Sequence, residues 1–134
     1  MKKADVYAKH NRARISPKKA AIVLDMVRGR SLSEAKILLA FDQTKAAEMI
    51  LKVLKSAEAN ALNNNNLKPE ELYLSDVYVN PGRTYKFGRA GSKGRYDPLK
   101  RRSSHIIVGL SKIPEEVPAN NKKTKKSSKL KEKK

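Results

Sequence analysis

The stretch from Leu72 to Leu110 reads LYLSDVYVNPGRTYKFGRAGSKGRYDPLKRRSSHIIVGL, and its reading decides the fold. Its two ends, Leu72–Val79 and Ile106–Leu110, are rich in the β-branched and aromatic residues that suit a pleated, half-buried surface. Between them, residues 80–104 carry Arg83, Lys86, Arg89, Lys93, Arg95, Lys100, Arg101 and Arg102 against one acid, Asp97, a net charge of +7. Gly82, Gly88, Gly91 and Gly94 lie in the same stretch, and almost nothing in it can be buried. Two strands joined by such a segment predict an arm that runs out and back. With about twelve residues per limb at about 3.3 Å each, it would project roughly 40 Å. An arm without a core cannot order itself by burying apolar surface, and its charge selects a polyanion as the partner that orders it. Hydrogen exchange in the free protein should therefore be fast across residues 83–102.

Outward from the arm, charge is distributed unevenly. The chain has 134 residues and a net charge of +18. Residues 1–30 hold nine bases and two acids, whereas residues 31–79 hold five bases and seven acids. Residues 80–113 return to nine bases and one acid, and residues 114–134 to eight and three. This is the pattern of one small, near-neutral body with basic limbs, suited to nucleic acid; an anionic membrane surface is the rival. With no cysteine there is neither a disulfide framework nor a Cys-based zinc site. No apolar run approaches the roughly 18 residues a membrane-spanning helix needs, and Lys2-Lys3 is not followed by the apolar segment of a secretory signal. The expected compartment is the cytosol.

The body itself reads as a strand followed by three helices. Val6, Ala8, Ala13 and Ile15 give residues 5–15 a weak alternation. Ser16-Pro17 is a helix start, with Ala20, Val23, Leu24 and Val27 at helical spacing and Gly29 as the stop. Ser31 and Glu34 have capping-box spacing and open a short helix whose apolar residues are Ile37, Leu38 and Phe41. From Thr44 a longer helix of about 18 residues, roughly 27 Å, presents Ala46, Met49, Ile50, Val53, Leu54, Ala57 and Ala61 as one stripe. The run Asn63–Asn66 ends it. Lys68-Pro69 is a linker, Pro114 closes the globular part, and residues 115–134 read as a disordered lysine-rich tail.

Two features carry binding chemistry. On the arm, Tyr85, Phe87 and Tyr96 alternate with the bases and offer flat faces to unpaired nucleobases, while the glycines let the backbone approach a phosphate chain. Before and within the first helical turn stand Arg12, Arg14, Lys18 and Lys19. The helix macrodipole disfavours cations there unless an anion binds at the same end. Catalytic signatures fail. His10 and His105 are the only histidines, too few for most metal sites or triads. Ser104 and His105, as neighbours on a strand, point to opposite faces, so His105 is a structural or RNA-contacting residue. Lys93 is followed by Gly94, not by the Ser or Thr of a phosphate-binding loop. No enzyme activity, cofactor or metal is expected.

Three blocks then carry a resemblance. They are Arg14-Ile15-Ser16-Pro17-Lys18-Lys19-Ala20 continuing to Val27-Arg28-Gly29; Lys52-Val53-Leu54-Lys55-Ser56-Ala57 with Ala59-Asn60-Ala61; and Gly94-Arg95 with Lys100-Arg101-Arg102-Ser103-Ser104-His105-Ile106. In this order the chain resembles the bacterial type of the universal large-subunit ribosomal protein number twenty-two. That resemblance implies an α+β fold: three helices packed on a small antiparallel three-stranded sheet, with a long protruding β-hairpin and a basic C-terminal tail. It implies one domain over residues 1–113, with the hairpin at about 80–104, and a separate tail at 114–134. It also implies a structural constituent of the large ribosomal subunit that binds 23S-type rRNA, supports assembly and lines the peptide exit tunnel with its hairpin. Neighbouring large-subunit proteins and the nascent chain would be its other partners, and it would be a monomer in the particle, with no membrane. The RNA contacts implied fall on Arg14, Lys18, Lys19, Arg95, Lys100, Arg101 and Arg102; charge alone adds Arg12, Arg83, Lys86, Arg89 and Lys93, and strand position adds His105. The sequence departs from the family at the tip. There Phe87-Gly88-Arg89-Ala90-Gly91-Ser92 replaces a denser basic run with a Pro-Arg-Ala step. The alternative is an architectural DNA-binding protein with basic β-arms, although such arms place an apolar or proline wedge where this tip has glycine.

Overall fold

The computed structural model describes residues 4–113, so the tail expected from residue 114 lies outside the described residues. Strand β1 (Val6–Ala13) turns Val6, Ala8 and Ala13 inward, and at Arg12 the backbone enters the left-handed region with φ 55. Three helices follow: α1 (Pro17–Val27), α2 (Leu32–Phe41) and α3 (Lys45–Asn65). Then come β2 (Leu72–Pro81), β3 (Tyr85–Ala90), β4 (Tyr96–Arg101) and β5 (Ser104–Lys112). The strands build two antiparallel sheets, one of three strands in the order β1-β5-β2 and one of two, β3-β4.

Helix ends follow local chemistry. Pro17 opens α1, where its missing N–H has no partner to lose, but the Ser16 hydroxyl caps nothing. Gly29 follows with φ 74 and donates its N–H to the Leu74 carbonyl at 3.0 Å, joining the helix end to β2. The Ser31 hydroxyl accepts the Glu34 N–H at 3.4 Å, and the Thr44 hydroxyl accepts the Ala47 N–H at 3.2 Å. Helix α3 runs 21 residues, further than the sequence suggests. Three of the four asparagines continue the helix, and the left-handed stop (φ 51) falls on Asn66, with the Leu67 N–H returning to the Ala61 carbonyl.

The core lies between the helices and the three-stranded sheet. Helix α3 crosses β1 and β5, α1 packs on β2, and α2 leans chiefly on α3. Ala46, Ala47, Ala57 and Ala61 are buried along α3, so its backbone can approach the sheet closely. The stripe holds as expected, with Ala47 added and Met49 only partly buried. Helix α2 differs from its expected orientation. Leu32, Ala35 and Leu39 are buried, while Ile37 is 58% and Phe41 82% exposed. Ten residues with apolar side chains all round define no single face. The Lys36–Glu58 ion pair to α3 and the burial of Leu32 settle the rotation. Full burial of a Leu such as Leu24, Leu54, Leu74 or Leu110 contributes about 1.5–3 kcal/mol relative to exposure. No residue from Tyr85 to Arg101 belongs to that core.

Polar contacts tie the sheet's outer strands across β5. The Tyr7 hydroxyl donates to Asp76 Oδ2 at 2.8 Å and accepts the Ala4 N–H at 2.9 Å. Hydrogen bonding to the carboxylate pushes the Tyr7 pKa above its ordinary value. Ser104, which pairs with Ala13 on one side and Pro81 on the other, is fully buried with a hydroxyl that meets no partner. A buried, unbonded hydroxyl carries a desolvation penalty of about 1–3 kcal/mol. Ser104→Ala should thus leave stability unchanged or raise it by up to about 1 kcal/mol, read from chemical denaturation; a marked loss would reveal a bond for that hydroxyl.

Candidate nucleic-acid interface

The basic arm is a hairpin with its own ladder, Tyr85↔Arg101 through Ala90↔Tyr96. Pro81, which has no N–H to give, ends the body ladder opposite Ser104. Between the two ladders residues 82–84 oppose only residues 102–103, a one-residue mismatch that breaks the sheet and bends its strands. The mismatch is held by a clasp. The Gly82 N–H donates to the Ser103 carbonyl at 2.9 Å, and the Ser103 hydroxyl donates to the Arg83 carbonyl at 2.7 Å. A Cβ on Gly82 would lie 2.6 Å from Ser103 Oγ, so only glycine permits this approach. The limbs are shorter than the sequence suggests. A five-residue tip, Gly91–Arg95, closes by the Gly91 N–H to Arg95 carbonyl bond at 2.7 Å, leaving about nine residues, roughly 30 Å, from Gly82 to Ala90.

Register sorts the hairpin's side chains into two unlike faces. Tyr85, Phe87 and Arg89 share one face with Arg101, Leu99 and Asp97 opposite them. Arg101 lies over the Phe87 ring at 5.4 Å and Arg83 over Tyr85 at 5.5 Å, which orients both rings. The other face sets Lys86 directly opposite Lys100, and Tyr96 lays its ring across Gly88, in space a side chain there would fill. Gly82 and Gly88 thus make room for the protein's own groups, where the sequence suggested room for phosphate. Like charges directly opposite destabilise a strand pair. An anion between the two lysines removes that penalty.

At the hairpin root the body contributes cations of its own. A groove of about 910 Å³ is lined by Arg12 near the end of β1 and Arg14 just beyond it, Lys45 at the start of α3, and Arg101 and Arg102 on the returning limb. Tyr85, Phe87 and Ser103 complete the lining, and no acid is among it. None of these five cations forms an ion pair among the described residues. The left-handed turn at Arg12 breaks the β1 register between His10 and Ala13, and its N–H meets His105 Nδ1 at 3.3 Å. Asn11 Oδ1, an acceptor, lies 3.2 Å from the same nitrogen, so Nδ1 accepts from Arg12 when it carries no proton and donates to Asn11 when it does. His105 thereby holds the bulge that presents Arg12, leaving Nε2 as the ring nitrogen available to a ligand.

The structure does not gather every candidate. Lys18 and Lys19 are exposed on the first turn of α1 and do not line the groove. Arg83 covers Tyr85, Arg89 faces Asp97 across the ladder, Lys93 sits in the tip with φ 56, and Arg95 closes the tip. Sequence reading overlooked Lys45. The signal was present: a cation at the first position of a helix, disfavoured by the macrodipole, as at Lys18 and Lys19. Ser103 was overlooked too, and nothing local distinguishes it from Ser104. Among the described residues, no group of three or more His, Cys, Asp or Glu comes together to hold a metal ion, and no helix is long and apolar enough to cross a membrane.

Comparison with known proteins matches residues 8–111 to the family described as ribosomal protein L22p/L17e. The chain is 43% identical over 111 residues to the large ribosomal subunit protein uL22 of Phytoplasma mali, covering 81% of this chain and 85% of that protein. It is 45% identical over 98 residues to the uL22 of Lactobacillus gasseri, covering 73% and 84%. The uL22 of Lactobacillus helveticus is 44% identical over the same length and shares.

The clasp predicts an energetic coupling. Gly82→Ala forces a methyl against Ser103 Oγ, so it should destabilise the parent protein more than it destabilises a Ser103→Ala background. A double-mutant cycle by denaturation should return a coupling of about 0.5–3 kcal/mol. Additive effects would show that the two residues do not meet.

Proposed function

Because this chain belongs to the ribosomal protein L22p/L17e family, we propose that it is a structural constituent of the large ribosomal subunit and not an enzyme. Its work is to bind and organise large-subunit rRNA during assembly, beside neighbouring large-subunit proteins. In this reading it acts in the cytoplasm as a monomer within the particle, as one domain over residues 1–113 with a separate basic tail. The hairpin lines the peptide exit tunnel, next to the nascent chain. One observation carries the RNA reading: five cations drawn from three distant chain segments line one groove without a single acid. Such convergence disfavours the folded state by self-repulsion unless a polyanion occupies it. The Lys86–Lys100 rung on the hairpin's other face supports the same partner. Arg14, Lys18, Lys19 and the limb Arg95–Arg102 are the contacts the family likeness favours; Arg12, Lys45, Arg83, Lys86, Arg89, Lys93 and His105 are those that position and charge add.

Binding through about eight phosphates should be steeply salt-dependent, falling roughly 10³–10⁵-fold between about 50 and 200 mM salt. A filter-binding titration with an rRNA fragment measures this, and a flat profile would sink the proposal. Lys86→Ala should act with opposite signs on two readouts. Removing one phosphate contact lowers RNA affinity and the salt slope by about one unit. Removing the like-charge rung at the same time should slow the otherwise fast hydrogen exchange of the hairpin in the free protein.

A further inference from the structure

We propose that the groove at the hairpin root takes an unpaired stretch of RNA, with backbone phosphate held before Arg12, Arg14 and Lys45 and a base laid on Phe87 or Tyr85. This deepens the rRNA-binding reading and rests on it. The two rings are the deciding feature. Both face the groove, and each keeps 48% of its surface exposed although an arginine covers part of it. The arginines fix the ring planes, so little side-chain entropy remains to be lost on stacking.

A base-paired RNA helix presents phosphates and 2′-hydroxyls outward and keeps its base faces inside the stack. It could meet the rim cations but not the rings. An unpaired segment has free base faces, and aromatic stacking is worth having only for such bases. Body cations and hairpin rings lining one groove match the two halves of a nucleotide. Arg12 and Arg14 come from the body, while Phe87 belongs to the hairpin, so a nucleotide would bridge the two. The opposite hairpin face is a contrast within the same element. Lys86 and Lys100 stand there with no ring offered to the groove, and Tyr96 is spent on Gly88. That face suits phosphate of any RNA, paired or not.

The test compares a single-stranded RNA oligonucleotide containing 2-aminopurine with the same oligonucleotide annealed to its complement, each titrated with the full chain. Phe87→Leu keeps an apolar side chain but removes the stacking face. It should weaken single-strand binding roughly tenfold and abolish most of the 2-aminopurine quenching, while duplex binding stays within about twofold. Lys86→Ala should lower both affinities alike. Circular dichroism confirms that each variant is folded, and Tyr85→Leu provides an independent second ring deletion. Equal losses on strand and duplex, or unchanged quenching in both ring variants, would overturn the proposal while leaving rRNA binding intact. A parent chain that binds neither RNA would overturn this proposal together with the reading beneath it.

Discussion

Everything in this molecule depends on β5 being the middle strand of the body sheet although it is the last strand among the described residues. Ile106, Val108 and Leu110 are fully buried there, with β1 on one side and β2 on the other. The β2–β5 pairing brings together residues as far apart as Leu72 and Lys112, and all of the chain between them must leave and return at one place. Closing so long a loop is entropically unfavourable, and the buried rungs of β5 offset that loss. The hairpin is thus the consequence of a register set in the core. It projects because it contains nothing to bury, and it returns because β5 demands it.

The root of the hairpin shows how that constraint becomes a basic groove. A continuous ladder would carry the sheet's plane straight into the arm. The three-against-two mismatch at residues 82–84 and 102–103 instead bends it, and the Gly82–Ser103 clasp holds the bend. On the other edge of the sheet a second irregularity, the left-handed Arg12 over His105, breaks β1 close to the same end. These two departures from regular pairing aim Arg12 and Arg14 at the limb that carries Arg101 and Arg102. The core supplies stability, and its irregular ends supply direction.

Much of this was legible in the sequence, and the failures have physical causes. The Ser16-Pro17 start, the Gly29 stop, the stripe of α3 and the two strands flanking a basic arm are local signals, and local interactions decide them. The face of α2 was not legible, because Ile37, Leu38 and Phe41 are as apolar as Leu32 and Leu39 and only contact with α3 chooses between them. The end of α3 was misplaced because asparagine at Asn63–Asn65 is merely a weak helix former, and packing of Ala61 carries the helix past it. The groove was half legible. Charge flagged Arg12, Arg14, Arg101 and Arg102 separately, but their convergence is a tertiary fact. Lys45 was hidden by a region whose net charge is near zero.

That convergence gives the two basic surfaces different dependence on folding. Lys86 and Lys100 oppose each other through the hairpin's own ladder, so their arrangement needs only local structure. The groove needs β1, α3 and the returning limb in place together, so it exists only when the core is formed. A ligand in the groove binds the native state alone and stabilises it by mass action, whereas a phosphate between the two lysines orders the hairpin whether or not the body is complete. A polyanion can therefore meet the arm before the body is folded, whereas the root groove can take one only afterwards. The two basic surfaces thus differ in what they require: the arm needs only its own ladder, and the root groove needs the finished core.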